Sequence, residues 1–163
     1  FVYTKGLKRT TPQNIVIGGA AGAIPPVVGW AAVTGGIGLP ALYLFAIVFF
    51  WTPPHFWALA LLLKDDYERA GVPMLPVVSG IQQTKRSIYL YSWLLLGLTL
   101  MFVTTGVVSW IYFFGATVLG VGFIYYCWRL KRSPDTLTAK STYIYSLIYL
   151  AAIFMFVMVD SVL

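Results

Sequence analysis

The sequence predicts an all-α integral membrane protein with five transmembrane helices. Of the 163 residues, 60% are hydrophobic and only 10% are charged, which is far from the composition of a soluble domain. Five apolar segments approach the roughly 20 residues that a helix needs to cross the hydrocarbon core of a bilayer. These predicted spans lie at 14–33, 40–63, 87–107, 110–128 and 142–162. We therefore expect residues 1–163 to form a single transmembrane domain.

The distribution of basic residues predicts the orientation of these spans. All 11 Lys and Arg residues fall in segments 1–13, 64–86 and 129–141, whereas the connections 34–39 and 108–109 contain none. This asymmetry is the positive-inside pattern. We expect the N-terminal end and both basic loops in the cytoplasm and the C-terminus outside, with a bacterial plasma membrane fitting the design. Topology explains the net charge of +6, so nucleic-acid binding is not expected.

The first two spans each contain a proline pair. Gly18-x-x-x-Gly22 in the first span permits close helix approach and is followed by Pro25-Pro26, while Pro53-Pro54 lies in the second span. Each proline removes an amide donor and frees a carbonyl, which inside a membrane must face protein or a water-filled cavity. Two broken helices with a cavity between them are one expectation, and two tightly packed kinked helices are the other.

The remaining spans are rich in aromatic residues. Trp110, Tyr112 and Trp128 fall at the expected bilayer interfaces, as in an aromatic belt. The single cysteine, Cys127, lies in an apolar run and is interpreted as a packing residue, since no internal disulfide is possible. Asp160 is alone near the outer end of the last span and is interpreted as an interface residue.

An acidic cluster follows the second span. Asp65, Asp66 and Glu68 are three of the five acidic residues of the chain. If the helix continues, Asp65 and Arg69 are i and i+4 neighbours and form an ordinary ion pair. The alternative is one or two Mg²⁺ ions that these carboxylates hold and that bridge to the phosphates of a substrate, because Mg²⁺ keeps several waters and needs few protein ligands.

Basic residues surround the acidic cluster and form a candidate diphosphate clamp. Arg and Lys side chains bind phosphate through charge-assisted hydrogen bonds. The candidates are Lys8, Arg9, Lys64, Arg69, Lys85 and Arg86. The positive-inside signal and the binding of anionic lipid headgroups are an adequate alternative for most of these residues.

His55 is the only histidine and precedes Asp65 by ten residues, which is about 15 Å along a helix. It is thus expected inside the membrane, where a polar residue is a functional candidate. It could contact a porphyrin metal or a propionate. It could equally donate a hydrogen bond to a carbonyl freed by Pro53-Pro54.

Four sequence motifs carry a family resemblance. They are Tyr3-Thr4-x-x-x-Lys8-Arg9-x-Thr11-Pro12, Gly22-Ala23-Ile24-Pro25-Pro26-x-x-Gly29-Trp30, Pro54-His55-Phe56-Trp57-x-Leu59-Ala60, and Asp65-Asp66-Tyr67-x-x-Ala70-Gly71-x-Pro73-Met74-Leu75-Pro76. In these motifs the chain resembles the protohaem IX farnesyltransferase (haem O synthase) family, within the UbiA-type intramembrane prenyltransferase superfamily. The resemblance covers the whole chain and is tightest over residues 3–80.

The resemblance implies a nine-helix bundle, of which this chain corresponds to the C-terminal part. In that superfamily two acidic motifs bind Mg²⁺ and the prenyl diphosphate. The first, of the type Asn-x-x-x-Asp-x-x-x-Asp, has no counterpart here, so the 163 residues alone are expected to be inactive. The second falls at Asp65, Asp66 and Glu68, with Asp65 and Asp66 expected to be catalytic. The residues expected beside the diphosphate are Tyr3, Lys8, Arg9, Lys64 and Arg69.

The reaction implied by the resemblance is Mg²⁺-dependent transfer of a farnesyl group from farnesyl diphosphate to a vinyl group of haem b, with addition of water. Haem b is then a substrate rather than a cofactor, the lipid bilayer supplies both substrates, and haem A synthase is a possible partner. Trp51 and Trp57 are candidates for stabilising an allylic cation through cation–π contact, and with His55 they are expected to line the haem or prenyl pocket.

Three other functions fit the sequence less closely. The chain could belong to a related membrane prenyltransferase acting on a quinone precursor or chlorophyllide. It could be half of a transporter, with paired prolines marking a midplane site, although the acidic residues lie at the membrane face. It could also be an assembly subunit without chemistry, which predicts tolerance of charge removal at Asp65 and Asp66.

Overall fold

The computed structural model of the protein describes residues 14–134 and 137–160. Those residues form helices and connecting turns with no strand, which confirms the all-α prediction. The helices are α1 (Asn14–Gly22), α2 (Ile24–Thr34), α3 (Leu39–Leu62), α4 (Lys64–Arg69), α5 (Leu75–Val78), α6 (Ile81–Met101), α7 (Trp110–Arg132) and α8 (Leu137–Asp160), with a 3-10 turn at Phe102–Thr105. Tyr3, Lys8 and Arg9 lie outside the described residues.

Five helical segments are long and apolar enough to cross a membrane, which confirms the predicted number. They are Ile15–Thr34, Leu39–Leu62, Ile81–Thr105, Trp110–Arg132 and Leu137–Asp160. The last three helices extend beyond the predicted spans at the ends that carry basic residues. Lys and Arg can bury their aliphatic stems while the charged head reaches water, so a helix continues past the point at which apolar sequence ends.

Helix α3 lies at the centre of the described bundle. It packs against α1 and α2 on one side and against α6 and α8 on the other. Helix α7 packs between α6 and α8, so α3, α6, α7 and α8 form a closed ring of four helices. Thirteen of the 24 residues of α3 are buried. Any site built on α3 therefore has its side chains fixed by several neighbouring helices.

The first span is broken, as its proline pair predicts. Helix α1 ends at Gly22, and α2 begins one residue later with Pro25 in its first turn. The first-turn amides of a helix have no intrahelical partner, so proline costs little there. Gly35 then ends α2 in the left-handed conformation, with φ of 76°, and its amide donates to the carbonyl of Ala31.

The expected break in the second span is absent. Helix α3 runs continuously from Leu39 to Leu62 with Pro53 and Pro54 inside it. Residues 51–55 are all buried, so packing against neighbouring helices holds the backbone in a helical path. The hydroxyl of Thr52 donates to the carbonyl of Val48 at 2.8 Å, within the turn that precedes the prolines.

A polar contact joins three helices inside the ring. The Thr99 hydroxyl on α6 lies 2.7 Å from the Tyr149 hydroxyl on α8, and the Tyr112 hydroxyl on α7 donates to the Thr99 carbonyl at 3.1 Å. All three side chains are fully buried. The interpretation of Tyr112 as an interface residue is therefore wrong, since it packs in the core, whereas Trp110 and Trp128 are exposed.

Asp160 has a structural partner that the sequence did not indicate. Its carboxylate accepts hydrogen bonds from the amide of Ser109 and from the Ser109 hydroxyl, the latter at 2.6 Å. Ser109 is the N-cap of α7, where its own hydroxyl accepts from the amide of Ile111. A carboxylate at a helix N-terminus complements the helix dipole. Asp160 thus links the end of α8 to the start of α7 and is only 8% exposed.

Helices α7 and α8 approach closely at glycines. The phenolic oxygen of Tyr145 lies over Gly122 and donates to the carbonyl of Leu119 at 3.0 Å, while the ring of Phe156 lies over Gly115. A Cβ atom at Gly115 would lie only 2.6 Å from the Phe156 ring. Small residues that permit such contacts are typical of helix interfaces in membranes.

We expect Gly122→Ala to lower the unfolding midpoint of the full-length protein in detergent. The new methyl group would occupy the position of the Tyr145 hydroxyl and displace it from the Leu119 carbonyl, and overpacking of this kind costs about 1–3 kcal/mol. The matched control is Gly97→Ala, where a Cβ atom meets open space and alanine gains about 1 kcal/mol of helix propensity. Thermal unfolding compares the two variants, and equal midpoints would contradict this packing.

Candidate functional site

The acidic cluster occupies a short helix of its own. Leu63, with φ of −107°, separates α3 from α4, so the acidic residues do not continue α3 directly. Gly71 ends α4 with φ of 64°. Its amide donates to the carbonyl of Glu68, and the amide of Val72 donates to that of Tyr67, as in a Schellman-type helix end. The sequence has a glycine at this position, where the left-handed conformation favours glycine.

Ion pairs engage two of the three carboxylates. Arg69 contacts Asp66 at 2.5 Å, and Lys64 contacts Glu68 at 3.2 Å. The expected side-chain pair between Asp65 and Arg69 is absent, because Arg69 Nε donates instead to the backbone carbonyl of Asp65 at 3.3 Å. Within the described part of the chain the Asp65 carboxylate has no ion-pair or hydrogen-bond partner. It is therefore the carboxylate most available to a ligand.

These pairs are weak and exchangeable. The side chains of Arg69 and Asp66 are 77% and 64% exposed, and exposed ion pairs contribute about 0–1 kcal/mol. Among the described residues no three His, Cys, Asp or Glu side chains converge on a point that could hold a metal ion. A metal here would need ligands from elsewhere, such as water and the oxygens of a substrate.

The loop after α4 folds back onto the bundle. Met74 is 3% exposed and Pro76 is buried, and α5, which contains Pro76, packs against α3 and α6. Met74, Leu75 and Pro76 thus anchor the segment that follows α4 to the bundle. Without these residues the segment would be a mobile surface loop. The consequence is that α4 is fixed over the end of α3.

The two basic residues of α6 differ in their environments. Lys85 is 1% exposed and its ammonium group donates to the carbonyl of Ser133, at the end of α7, at 2.7 Å. A cation is favourable at a helix C-terminus, so Lys85 has a structural role in joining α6 to α7. Arg86 is exposed. Of this pair, Arg86 alone keeps an exposed position suited to the expected clamp.

His55 lies in a layered aromatic site between α3 and α8. Its ring stacks on Trp51, with centroids 4.3 Å apart, and on Tyr143, with centroids 4.8 Å apart. Its Nδ1 lies 2.7 Å from the hydroxyl of Ser146. The ring is therefore held on both faces and at one nitrogen, and the partner is a side chain of α8 rather than a carbonyl freed by the prolines.

The two tryptophans proposed for one pocket lie in different places. Trp51 Nε1 donates to the carbonyl of Ser146 at 2.8 Å, so Trp51 and His55 share one partner on α8. Trp57 packs perpendicular to Tyr91 of α6. It is 4% exposed, and among the residues that the structure describes its Nε1 is the one buried side-chain polar atom without a hydrogen-bond partner. The structure thus groups Trp51 with His55 and places Trp57 at the α3–α6 interface.

An apolar groove of about 320 Å³ lies between α1 and α3. Its lining residues are Ile15, Gly18, Gly19, Gly22, Val48, Trp51, Thr52 and Phe56. Gly19 is the point of closest approach, since a Cβ atom there would lie 3.0 Å from the Thr52 methyl group. A Cβ atom at Gly22 would meet no atom within 4 Å. The glycines therefore both bring the helices together and leave the space open.

The groove lies along the middle of α3, below the acidic helix that follows the end of α3. Phe56 lies six residues before the end of α3 and Val48 lies fourteen before it, which are depths of about 9 and 21 Å. The groove thus runs through the apolar depth of the bundle beneath a surface that carries Asp65 and its charged neighbours. This arrangement suits a ligand with an anionic head and a long apolar tail.

Residues 1–158 match the UbiA prenyltransferase family. The chain belongs to the UbiA prenyltransferase family. No solved structure matches the chain.

Several curated relatives within this prenyltransferase family are similar over nearly the whole chain. Over 162 residues the chain is 55% identical to the protoheme IX farnesyltransferase of Roseiflexus sp. (strain RS-1) and 51% identical to that of Gloeobacter violaceus, covering 99% of this chain each time. It is 51% identical over 159 residues to that of Thioalkalivibrio sulfidiphilus, covering 98%. The chain covers 30% of the Roseiflexus protein and 53% of each of the other two.

Two elements of the site in this prenyltransferase chain were not predicted. Ser146 orients His55, yet it lies 91 residues away in the sequence and a serine in an apolar helix carries no signal of its partner. Gly19 and Gly22 border the groove, whereas the sequence indicated glycines only for helix contact. The available signal for the groove was the cluster of Gly18, Gly19 and Gly22 in the first span, followed by a second span that contains Trp51.

We expect Ser146→Ala to destabilise the full-length protein more than the loss of an ordinary helical hydroxyl would. The substitution leaves His55 Nδ1 without its partner in a site where His55 is 6% exposed, and an unsatisfied buried group costs about 1–3 kcal/mol. Thr117→Val is the control, because the Thr117 hydroxyl bonds only to the carbonyl of Phe113 in its own helix. Denaturant titration in detergent measures both free energies of unfolding.

The double variant Ser146→Ala/His55→Phe sharpens this test. Removing both partners of a buried hydrogen bond costs less than removing one, so the double variant should recover part of the loss. Equal destabilisation by Ser146→Ala and Thr117→Val would show that the His55–Ser146 contact contributes nothing specific.

Proposed function

We propose that the full-length protein transfers a farnesyl group from farnesyl diphosphate to a vinyl group of haem b, with addition of water to give haem O. The observation that carries the proposal is the apolar groove between α1 and α3 beneath the charged helix α4. An isoprenoid diphosphate has the matching distribution of charge and apolar surface. The names of the curated relatives support haem b as the acceptor in preference to a quinone precursor or chlorophyllide.

The groove provides the apolar part of the donor site. Glycines form the α1 wall, and Trp51, Thr52 and Phe56 of α3 form the opposite wall. Burial of a CH₂ group away from water stabilises a complex by about 0.8 kcal/mol, and a groove bordered by glycines holds a chain without steric conflict. In this proposal the farnesyl tail lies along α3, with its reactive end toward Asp65.

Helix α4 provides the charged part of the donor site. Its three carboxylates present hard oxygen ligands, of which Asp65 is unpaired among the described residues and Asp66 and Glu68 are held only by exposed ion pairs. This donor set fits Mg²⁺ shared with a diphosphate and does not fit an all-protein cage. Bound Mg²⁺ would supply neutralisation of charge on the leaving diphosphate.

The basic residues of α4 have a related role. Lys64 and Arg69 are paired with Glu68 and Asp66 in the structure. When the carboxylates take part in binding the diphosphate, these side chains become available to donate to its oxygens, and donors placed where negative charge develops lower the barrier. Tyr3, Lys8 and Arg9, which lie outside the described residues, are proposed as further diphosphate ligands.

The chemistry requires cleavage of the allylic C–O bond and protection of the resulting cation. In the proposed reaction the allylic carbon bonds to the terminal vinyl carbon of haem b, and the adjacent carbon then takes up water and releases a proton. Trp51 borders the groove and presents an aromatic face, which stabilises a nearby cation through cation–π contact. Trp57, at the α3–α6 interface, is proposed only as a more distant pocket residue.

His55 is proposed to face the haem side of the pocket. Its ring is fixed between Trp51 and Tyr143, and the Ser146 hydroxyl engages Nδ1. Nε2 is therefore the nitrogen left to meet a propionate or the porphyrin metal. A preorganised site requires that a second residue, here Ser146, fix the orientation of the side chain that contacts the ligand.

The remaining parts of the proposal concern the cellular setting. The segregation of all basic residues to one face supports an orientation with residues 64–86 and 129–141 in the cytoplasm and the C-terminus outside. The bacterial relatives support a bacterial plasma membrane. Haem A synthase is the proposed recipient of the product.

We expect Asp65→Asn to reduce turnover of the full-length protein by about 100-fold, the scale for loss of one group that stabilises transition-state charge. Membranes are supplied with haem b, farnesyl diphosphate and Mg²⁺, and the molecular mass of the extracted haem is measured by mass spectrometry. The product should be heavier than haem b by a farnesyl group plus a hydroxyl group, and chelation of Mg²⁺ should abolish it. Glu68→Gln should cost less, because its carboxylate is paired with Lys64.

The outcomes of this assay separate the parts of the proposal. Unchanged haem from the folded wild-type protein would refute haem b as the acceptor or the activity itself. Full product from Asp65→Asn would keep the activity and remove Asp65 from the diphosphate site. Larger losses for Glu68→Gln than for Asp65→Asn would reverse the proposed order of the carboxylates.

We expect Gly22→Leu to raise the KM for farnesyl diphosphate about tenfold, since its side chain would displace about two CH₂ groups of the substrate at about 0.8 kcal/mol each. Gly22 borders the groove and its Cβ position is open. The matched control is Gly29→Leu, at an equally open position in the same span away from the groove. Steady-state kinetics with farnesyl and shorter geranyl diphosphate measures the effect. Equal KM values for the two variants would place the tail elsewhere.

A further inference from the structure

A second groove lies between α7 and α8, away from the candidate prenyl site. Its volume is about 280 Å³. The lining residues are Tyr126, Arg129, Ser141, Ile144, Tyr145 and Ile148. Helices α7 and α8 are adjacent in the ring, and neither contributes to the groove between α1 and α3. This α7–α8 groove therefore has no role in the function proposed above.

Three polar groups of the α7–α8 groove have no partner within residues 14–134 and 137–160. Arg129 forms no ion pair, and the hydroxyl groups of Tyr126 and Ser141 form no hydrogen bond there. The other basic residues in the last turn of α7 are engaged. Lys131 lies over the ring of Tyr89 at 4.8 Å, and Arg132 lies over the ring of Trp128 at 4.4 Å. Arg129 is thus distinguished from its neighbours as a cation available to a ligand.

The groove changes from polar to apolar with depth. Arg129 lies three residues from the end of α7 and Ser141 four residues from the start of α8, within about 6 Å of the helix ends. Ile148 lies eleven residues into α8, at about 16 Å. Ile144 and Ile148 are 44% and 54% exposed. Donors at the interface above exposed aliphatic side chains match the headgroup and acyl chain of one lipid molecule.

The walls of this groove are fixed by hydrogen bonds between the two helices. The Tyr145 hydroxyl donates to the carbonyl of Leu119 at 3.0 Å, and the Thr142 hydroxyl is shared between the carbonyls of Thr138 at 3.0 Å and Tyr126 at 3.3 Å. The rings of Tyr126 and Tyr145 stack with centroids 4.6 Å apart. The groove is therefore preformed, which reduces the entropy lost when a ligand binds.

We propose that the α7–α8 groove binds one anionic glycerophospholipid, with its phosphate at Arg129, Ser141 and Tyr126 and one acyl chain along Ile144 and Ile148. Guanidinium groups bind phosphate through charge-assisted, bidentate hydrogen bonds. Lys140, which precedes Ser141 and is exposed, adds positive charge beside the headgroup. Basic pockets between membrane helices are the expected sites for anionic lipids.

The charge of the groove selects the lipid class. Arg129 and Lys140 are both cations, and none of the lining residues is acidic. A zwitterionic lipid would bring an ammonium group next to these cations, whereas a phosphatidylglycerol headgroup brings none. Free phosphate would gain the polar contacts but leave the isoleucines exposed. The proposal therefore requires both the negative charge and the acyl chain.

The test measures lipid binding by the full-length protein in neutral detergent. Phosphatidylglycerol is titrated in, and the rise in unfolding midpoint gives an apparent affinity. Arg129→Gln should weaken this affinity at least about tenfold, as for loss of hydrogen bonds to a charged group. Arg132→Gln, which changes the charge equally but removes a residue engaged with Trp128, should stay within about twofold of the wild-type affinity.

Further measurements distinguish binding of a whole lipid from binding of its phosphate alone. Ile148→Trp, which fills the apolar end of the groove, should also weaken phosphatidylglycerol binding while leaving Arg129 in place. Phosphatidylcholine and inorganic phosphate at the same concentrations should give little shift. An equal response from Arg129→Gln and Arg132→Gln, or a shift from phosphate as large as that from phosphatidylglycerol, would overturn the proposal. Prenyl transfer is not needed for any of these readouts.

Discussion

Polar atoms inside the bilayer must be satisfied by other protein atoms, and much of this structure follows from that requirement. Ser146 of α8 shows it most clearly. Its carbonyl accepts a hydrogen bond from Trp51. Its hydroxyl contacts Nδ1 of His55 and donates to the carbonyl of Tyr143. Ser146 thereby connects Trp51 and His55, two functional candidates on α3, to helix α8. Since α3 packs against α1, α2, α6 and α8, this contact fixes the centre of the bundle.

The same requirement separates the candidate site into two parts. The carboxylates of Asp65, Asp66 and Glu68 lie on α4, where they are exposed, and the groove between α1 and α3 is bordered mainly by glycine, aliphatic and aromatic residues. Inside the groove, Thr52 satisfies its hydroxyl within its own helix. A substrate with an anionic head and an apolar tail is the kind of molecule that bridges such parts. Within residues 14–134 and 137–160, Trp57 is the exception, because its buried N–H has no hydrogen-bond acceptor there.

The sequence was informative wherever composition changes sharply. The five spans and the position of the acidic cluster follow from the contrast between apolar and charged segments, and Pro25-Pro26 correctly indicated a broken first span. The same pattern at Pro53-Pro54 was misleading, because tertiary packing around residues 51–55 keeps α3 continuous. Local sequence does not report such packing.

Contacts between distant helices could not be derived from local pattern. The pairing of His55 with Ser146 depends on the rotation of α3 against α8, and that of Asp160 with Ser109 spans 51 residues. In the acidic cluster, the i,i+4 rule suggested Asp65 with Arg69, whereas the structure pairs Arg69 with Asp66 at i,i+3. Both spacings bring side chains together on a helix, so geometry alone did not choose between them.

The contact between Asp160 and Ser109 also has a consequence for biogenesis. A ribosome delivers α7 to the membrane before the last turn of α8 exists, so the amide and hydroxyl of Ser109 at the start of α7 initially lack the carboxylate that later accepts from them. Completion of α8 supplies that carboxylate and joins the two helices at the face opposite α4. Helix α8 therefore completes this contact, and a nascent chain that stops short of residue 160 leaves the start of α7 without its partner and exposed to cellular quality control.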